Sequence, residues 1–333
     1  MTNRLLAAAI LLTIAFSSCK NGEEQEAPSQ DTEKPATTLA VPSFNADSAY
    51  VYTSAQVAFG PRTPGSGAQR KCAAWMQQML QQWCDTVYRQ ETIVTGWDGK
   101  KLPCINLVGA IHPAAKKRVL LLAHWDSRPW ADNDVKDRDK PILAADDGAS
   151  GVAVLLEVAR ILKSQPASGD LGIDILFTDV EDYGKSGSDE NDSYCLGTQY
   201  WARNPHLPGY KADFGILLDM VGGRDARFPM ESTSTQYAGH VHQQIWEAAN
   251  RAGYSSYFPF IAGGGVTDDH KYVNELAHIP TVDIISLRSD TPTGFPPHWH
   301  THGDNMSVID KNTLKAVGQT LLQVIFETQQ PAS

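Results

Sequence analysis

Apolar runs in this chain keep ending in acids or imidazoles. Residues 119–123 (Val-Leu-Leu-Leu-Ala) lead into His124-Trp125-Asp126, and residues 142–145 (Ile-Leu-Ala-Ala) lead into Asp146-Asp147-Gly148. Residues 171–177 lead to Asp179 and then Glu181-Asp182, and residues 214–218 run straight into Asp219. Late in the chain, Pro297-His298-Trp299-His300-Thr301-His302 adds further imidazoles. Short apolar runs bounded by polar turns read as buried strands. Helical periodicity fills the stretches between them. The pattern therefore predicts a single α/β domain with a mostly parallel central sheet and helices on both faces. Such sheets build their sites at the carboxyl ends of the strands, where these clusters fall.

The same reading places strands over 86–94, 104–111, 171–178, 214–218 and 280–287, with another ending at Ala123. Helices are expected over 47–59, 68–83, 148–162, 197–203, 239–252, 269–276 and 311–327. The long polar segments 126–145 and 182–194 read as functional loops. At 333 residues the chain is long enough for one large core, assigned here to residues 43–333.

The N-terminus reads as a targeting segment. Arg4 precedes an apolar stretch over 5–16 that is too short to span a bilayer. Phe16-Ser17-Ser18-Cys19 has the form of a bacterial lipobox. A signal peptide over 1–18 would then be cut before Cys19, which becomes the lipidated residue. Residues 19–42 follow as a flexible tether poor in large apolar side chains. The expected location is an exported lipoprotein, held to the membrane through its N-terminal lipid on the periplasmic or cell-surface side. Export would permit oxidation of Cys72, Cys84, Cys104 and Cys195. Cys72 and Cys84 fall on one predicted helix, about 18 Å apart at ~1.5 Å per residue, too far to pair. All four read as small buried residues. The net charge of −10, without a basic stretch, argues against nucleic acid as a partner.

Each cluster has an ordinary structural explanation. Asp146-Asp147 could cap the helix that follows. Glu181-Asp182 could form a solvated turn, Asp126 could hold His124 without any metal, and the late histidines could lie on the surface. Their joint placement along one sheet edge favours a site instead. Carboxylates and imidazoles without a cysteine pair suit a catalytic zinc with an open position.

The ordered series His124-Trp125-Asp126, Asp146-Asp147-Gly148-Ala149-Ser150-Gly151, Glu181-Asp182, Asp219 and His300-Thr301 resembles the zinc-dependent aminopeptidase fold. More closely, it resembles the glutaminyl cyclases that branch from that fold. The resemblance spans roughly residues 59–326 and includes Pro61-Arg62-Thr63-Pro64-Gly65-Ser66, Asp268-Asp269-His270 and Asp304-Asn305. It implies conversion of N-terminal Gln of peptides or proteins to pyroglutamate with release of ammonia, using one zinc per chain. It places Asp147, Asp182 and His300 as zinc ligands, with Asp182 where the animal enzymes have Glu. Glu181 takes the acid/base position, and Asp219 and Asp268 are the hydrogen-bonded carboxylates behind it. Trp299 becomes the aromatic wall of the substrate pocket. Asp283 stands where the animal enzymes carry His, and the segment after Asp182 lacks a matching Trp. Spacing alone leaves His298 or His302 as substitutes for His300. Two alternatives remain. One is a two-zinc aminopeptidase using His124, Asp147, Asp182, Asp219 and His300; the other is a non-enzymatic surface lipoprotein that kept the fold to bind a ligand.

Overall fold

The structure, a computed structural model, describes residues 40–165, 170–186 and 191–329. Cys19, the signal segment and nearly all of the tether lie outside the described residues. Among those described, no helix is long and apolar enough to cross a membrane.

Six strands form one sheet: β1 (Thr86–Thr95), β2 (Lys101–Ile111), β3 (Lys117–His124), β4 (Leu171–Thr178), β5 (Phe214–Asp219) and β6 (Thr281–Ile285), in the order β1-β2-β4-β3-β5-β6. β4, β3, β5 and β6 run parallel, while β2 is antiparallel to both β1 and β4. The sheet is thus mixed, with a parallel centre. Every residue of β4, β5 and β6 is buried, as expected for strands covered on both faces.

Alternation along β3 feeds two cores. Val119, Leu121 and Ala123 pack on one side with α1 (Ala46–Val57), α2 (Gly67–Trp83) and α3 (Ala149–Ser164). Leu120 and Leu122 face the other side, with Trp201 of α4 (Leu196–Arg203). α3 is apolar almost all round, the pattern of a helix buried in a core. α5 (Ser232–Arg251), α6 (Asp269–Tyr272) and α7 (Lys311–Thr328) complete the shell.

Two helices depart from the sequence reading, while residues 142–145, within the expected loop 126–145, are mostly buried and form no strand, two of their carbonyls being held by a side chain. The buried Arg62 donates to the carbonyls of Leu143, Ala144 (2.8 Å) and Trp125 (3.2 Å). α5 begins seven residues before the predicted start, because Glu231 caps it by accepting from the N–H groups of Thr233 and Ser234; the helix is then kinked at Ala238. The helix expected over 269–276 is α6 followed by one π turn, Val273–Ala277. Cys72 and Cys84 lie within α2 and at its C-cap, and all four described cysteines are buried and unpaired.

Arg62 therefore ties the end of β3 to the loop that enters α3. Arg62→Met keeps the bulk but orphans three buried carbonyls. It should cost about 2–4 kcal/mol, at roughly 1 kcal/mol or more for each lost hydrogen bond. Thermal unfolding in chelator should show a melting point lower by several degrees; an unchanged midpoint would remove Arg62 as the tie.

Candidate active site

The expected site residues converge. Asp147, Glu181, Asp182, Asp219, Asp268, Trp299 and His300 all line one cavity of about 350 Å³. β5 delivers Asp219 at its last residue. The turn after β4 delivers Glu181 and Asp182, the loop before α3 delivers Asp147, and a late loop delivers His300.

Two buried carboxylates hold the acidic pairs. Asp126 accepts from the backbone N–H of Glu181 (3.0 Å) with one oxygen and of Asp182 (3.1 Å) with the other. Asp304 does the same for Asp146 (2.7 Å) and Asp147 (3.1 Å). Neither pair is a cap or a solvated turn. Gly148 precedes α3 without a side-chain cap, and Asp146 is spent on the N–H of Gly222 (2.8 Å) and on His298 (2.8 Å). A Cβ at Gly148 would collide with the carbonyl and imidazole of His124, so only glycine allows this approach. Ala144, Val180, Met220 and His300 all adopt positive φ next to the acids. For the β-branched Val180 that conformation is a marked outlier, of the kind found at functional sites.

The three imidazoles of the late loop separate cleanly. His298 is turned to Asp146, and the Nε2 of His302 faces the carbonyl of Asp137 (3.2 Å). His300 is buried, with Nε2 at 3.2 Å from Asp182 and 3.8 Å from Asp147, and Nδ1 at 3.3 Å from Asp132. Asp147, Asp182 and His300 thus present two oxygens and a nitrogen around one point. Asp182 Oδ2 is buried with no hydrogen-bond partner among the described residues, as a ligand atom would be. Tetrahedral ligands at ~2.0–2.1 Å from zinc stand about 3.3 Å apart, so this donor set fits that ion. A second set shares Asp147: His124 Nε2 lies 2.9 Å from Asp147 and 3.3 Å from Asp219.

Charge in this pocket is finely opposed. Burial pushes the Glu181 carboxyl well above its usual range, against the pull of His124. Burial and the neighbouring Asp147 raise Asp219 to about 7. Burial works against ionised Asp182, but His300 and the fully buried Arg128, 3.0 Å away, hold it below the ordinary value. Burial and Asp219 push Asp268 well up, and burial and Asp268 do the same to Asp283 behind it. His270 stands behind them, its Nε2 3.2 Å from Glu231 and its Nδ1 3.8 Å from Asp283.

Aromatic rings close the cavity. Trp299 is half-buried, stacks on His300 at 3.7 Å between centroids, and meets Phe295 at 4.4 Å. Tyr194 lines the same cavity, which gives it an aromatic side chain after Asp182 where the sequence shows no tryptophan. Sequence reasoning missed Tyr194 and Phe295. It also missed Arg128, Asp132 and Cys195, whose Sγ lies 3.2 Å from Glu181. These lie in irregular loops or, for Cys195, at a helix start, and no spacing rule marks them.

The profile of peptidase family M28 matches residues 106–325. A solved Zn-dependent exopeptidase from Parabacteroides distasonis superimposes with a TM-score of 0.84 at 49% identity, covering 86% of this chain and 99% of that one. The glutaminyl cyclase of Bacteroides thetaiotaomicron gives a TM-score of 0.83, also at 49% identity and with the same coverage of 86% and 99%. The glutaminyl-peptide cyclotransferase of Boiga dendrophila is 27% identical over 296 residues, 80% of this chain and 76% of that protein.

The clamp on Asp146-Asp147 can be weakened without touching a candidate ligand. Asp304→Asn leaves one acceptor oxygen for two N–H groups. Zinc affinity, measured by competition with a chelating dye, should fall about 10- to 100-fold, the usual effect of removing a group that orients a ligand. Equal affinity in both proteins would show that Asp304 is not needed to set the site.

Proposed function

The chain belongs to peptidase family M28, and from that premise we propose that it is a zinc-dependent glutaminyl-peptide cyclotransferase with one zinc per chain. The observation that carries this reading is the aromatic-walled cavity over Asp147, Asp182 and His300, with Glu181 facing into it. The similarity to bacterial glutaminyl cyclases supports it.

The reaction closes a ring on the first residue of the substrate. Its α-amine attacks its own γ-carboxamide carbon; a C–N bond forms, the amide C–N bond breaks, and ammonia leaves. Zinc bound by Asp147, Asp182 and His300 would supply Lewis acidity at the carboxamide oxygen. Glu181 takes a proton from the attacking amine and returns it to the departing nitrogen. Its burial suits that task, because a carboxylate of raised basicity accepts a proton near neutral pH. Asp219 and Asp268 sit beside Glu181 and His124 as hydrogen-bonding carboxylates that shape this environment. Trp299, with Phe295 and Tyr194, holds the side chain folded toward its own amine and excludes water, which favours cyclisation over hydrolysis.

A second reading rests on the His124-Asp147-Asp219 set, which could accept a second ion and serve an aminopeptidase. The 2.9 Å contact between His124 and Asp147 is a hydrogen-bond distance, shorter than the separation of two ligands on one zinc, and favours a single metal. We also propose that the protein is exported and anchored to the membrane through lipid on Cys19, on the strength of the segment 16–19. Metabolic acyl labelling that vanishes in Cys19→Ala would support this, and labelling that persists would refute it.

Purified, zinc-loaded protein should convert a Gln-initiated peptide to its pyroglutamyl form with loss of one ammonia, and should leave an Ala-initiated peptide intact. Metal analysis should find one zinc. Glu181→Gln should reduce turnover about 100-fold or more with zinc retained, in line with general acid/base contributions. Trp299→Leu should impair turnover with little change in melting point. Release of free amino acids by protein holding two zinc ions would assign the peptidase instead.

A further inference from the structure

We propose that the substrate chain beyond its N-terminal glutamine lies extended in a second groove and is read mainly through its backbone. The inference rests on the cyclase reading and extends it to the class of substrate: peptides or unfolded protein N-termini of several residues.

The groove is a cavity of about 970 Å³, against about 350 Å³ for the active site. The two share Gly265, Val266 and Phe295 in their linings, so they adjoin along these residues. An N-terminal residue held in the smaller cavity has its remaining chain to dispose of, and the adjoining groove offers the nearest concave surface for it. Residues 261–266 form one wall. At ~3.3 Å per extended residue they span roughly 16–20 Å, the length of about five substrate residues.

That wall is main chain. On its inner side it is already paired: Met230 N–H donates to Ile261 (2.8 Å), Gly263 N–H donates to Met230 (2.7 Å), and Ser232 N–H donates to Gly264 (3.2 Å). The bridge of Met230 to Ala262 is parallel, so Ala262's own N–H and carbonyl point away from Met230. The N–H groups of Ala262, Gly264 and Gly265 donate to no backbone or side chain among the described residues, and all three residues are exposed. Gly263-Gly264-Gly265 carries no side chain to keep another backbone at a distance. Bare, half-paired main chain of this kind binds extended peptides by added hydrogen bonds, independent of their side chains.

The charges in the groove do not favour one sign. Arg288 is paired with Asp290 (2.7 Å), and Arg227, over the ring of Tyr257, shares the lining with Asp225. Neither acidic nor basic substrates are therefore selected.

The test compares kcat/KM for H-Gln-Ala-NH2 with Gln-initiated alanine peptides of three to seven residues. Two or three new main-chain hydrogen bonds should raise kcat/KM by about 10-fold or more as length grows to around six residues, chiefly through KM. Replacing the peptide bonds between the second and fifth residues by E-alkene isosteres, which removes the carbonyls that would accept from the wall along with their N–H groups, should remove the gain on the unaltered enzyme. Gly264→Trp should also bring the long-to-short ratio near one. Gly264 has no positive φ, and its Cβ would meet no atom within 4 Å, so the backbone accepts a side chain there, and a melting curve checks that the fold is kept. Equal kcat/KM at every length, or a length gain that survives both changes, overturns the groove. Failure to cyclise any Gln peptide, short or long, overturns the cyclase reading itself and this inference with it.

Discussion

The site depends on two carboxylates that have no direct part in it. Asp126 and Asp304 are buried, and each spreads its two oxygens over two consecutive backbone N–H groups. Those N–H groups belong to Asp146-Asp147 and Glu181-Asp182, the pairs that supply two candidate ligands and the candidate acid/base. A carboxylate gripping two adjacent amides fixes the peptide plane between them, and with it the direction of both side chains. Loops alone would leave this direction loose. The long segment from 126 to 145 is therefore less free than its composition suggests: Asp126 clamps at one end, and the other end is clamped by Asp304 and held by Arg62.

That solution has an electrostatic consequence. Orienting acids with other acids concentrates negative charge where water is excluded, and burial drives several of these groups toward their neutral forms. Arg128 and His300 counter this at Asp182, and His124 counters it at Glu181. A divalent cation among Asp147, Asp182 and His300 would relieve the same crowding, and under the proposed ligand set its binding would stabilise the ordered site. The left-handed backbone at Val180 and Met220 fits that picture, because strained residues persist only where surrounding contacts over-determine them.

How much of this was legible in the sequence follows the range of each interaction. β4 was read at its observed limits, and β3 and β5 to within a residue or so at each end where the reading set one, because burial on both faces leaves an unbroken apolar run; β1, an edge strand, was read as closely from its β-branched residues and the turn that follows. The run over 142–145 is also apolar but closes the expected loop, held there by Arg62, which lies some eighty residues away in the chain. The start of α5 was hidden in a Ser/Thr stretch whose helical state depends on Glu231. In the site, acids that abut strands announced themselves, since a carboxylate beside a core strand needs a partner. The choice of His300 over His298 and His302 rested on the family resemblance, and the geometry of the late loop brings it to the cavity. Asp132, Arg128 and Tyr194 carry no such mark; they act through contacts between loops that no periodicity encodes.

The two cavities divide recognition between different kinds of wall. Around the reacting residue the surfaces are side chains: Trp299, Phe295 and Tyr194, with carboxylates behind. Rings impose shape, so that end of the site discriminates strongly between a side chain that can fold back on its amine and one that cannot. Beyond Gly265 one wall, around Gly263-Gly264-Gly265, offers backbone, and the charged side chains opposite balance in sign. Backbone recognises what all peptides have in common. A site built this way is strict about the first residue and permissive about those that follow, which is the selectivity a cyclase needs if the feature common to its substrates is one terminal glutamine on otherwise unrelated chains.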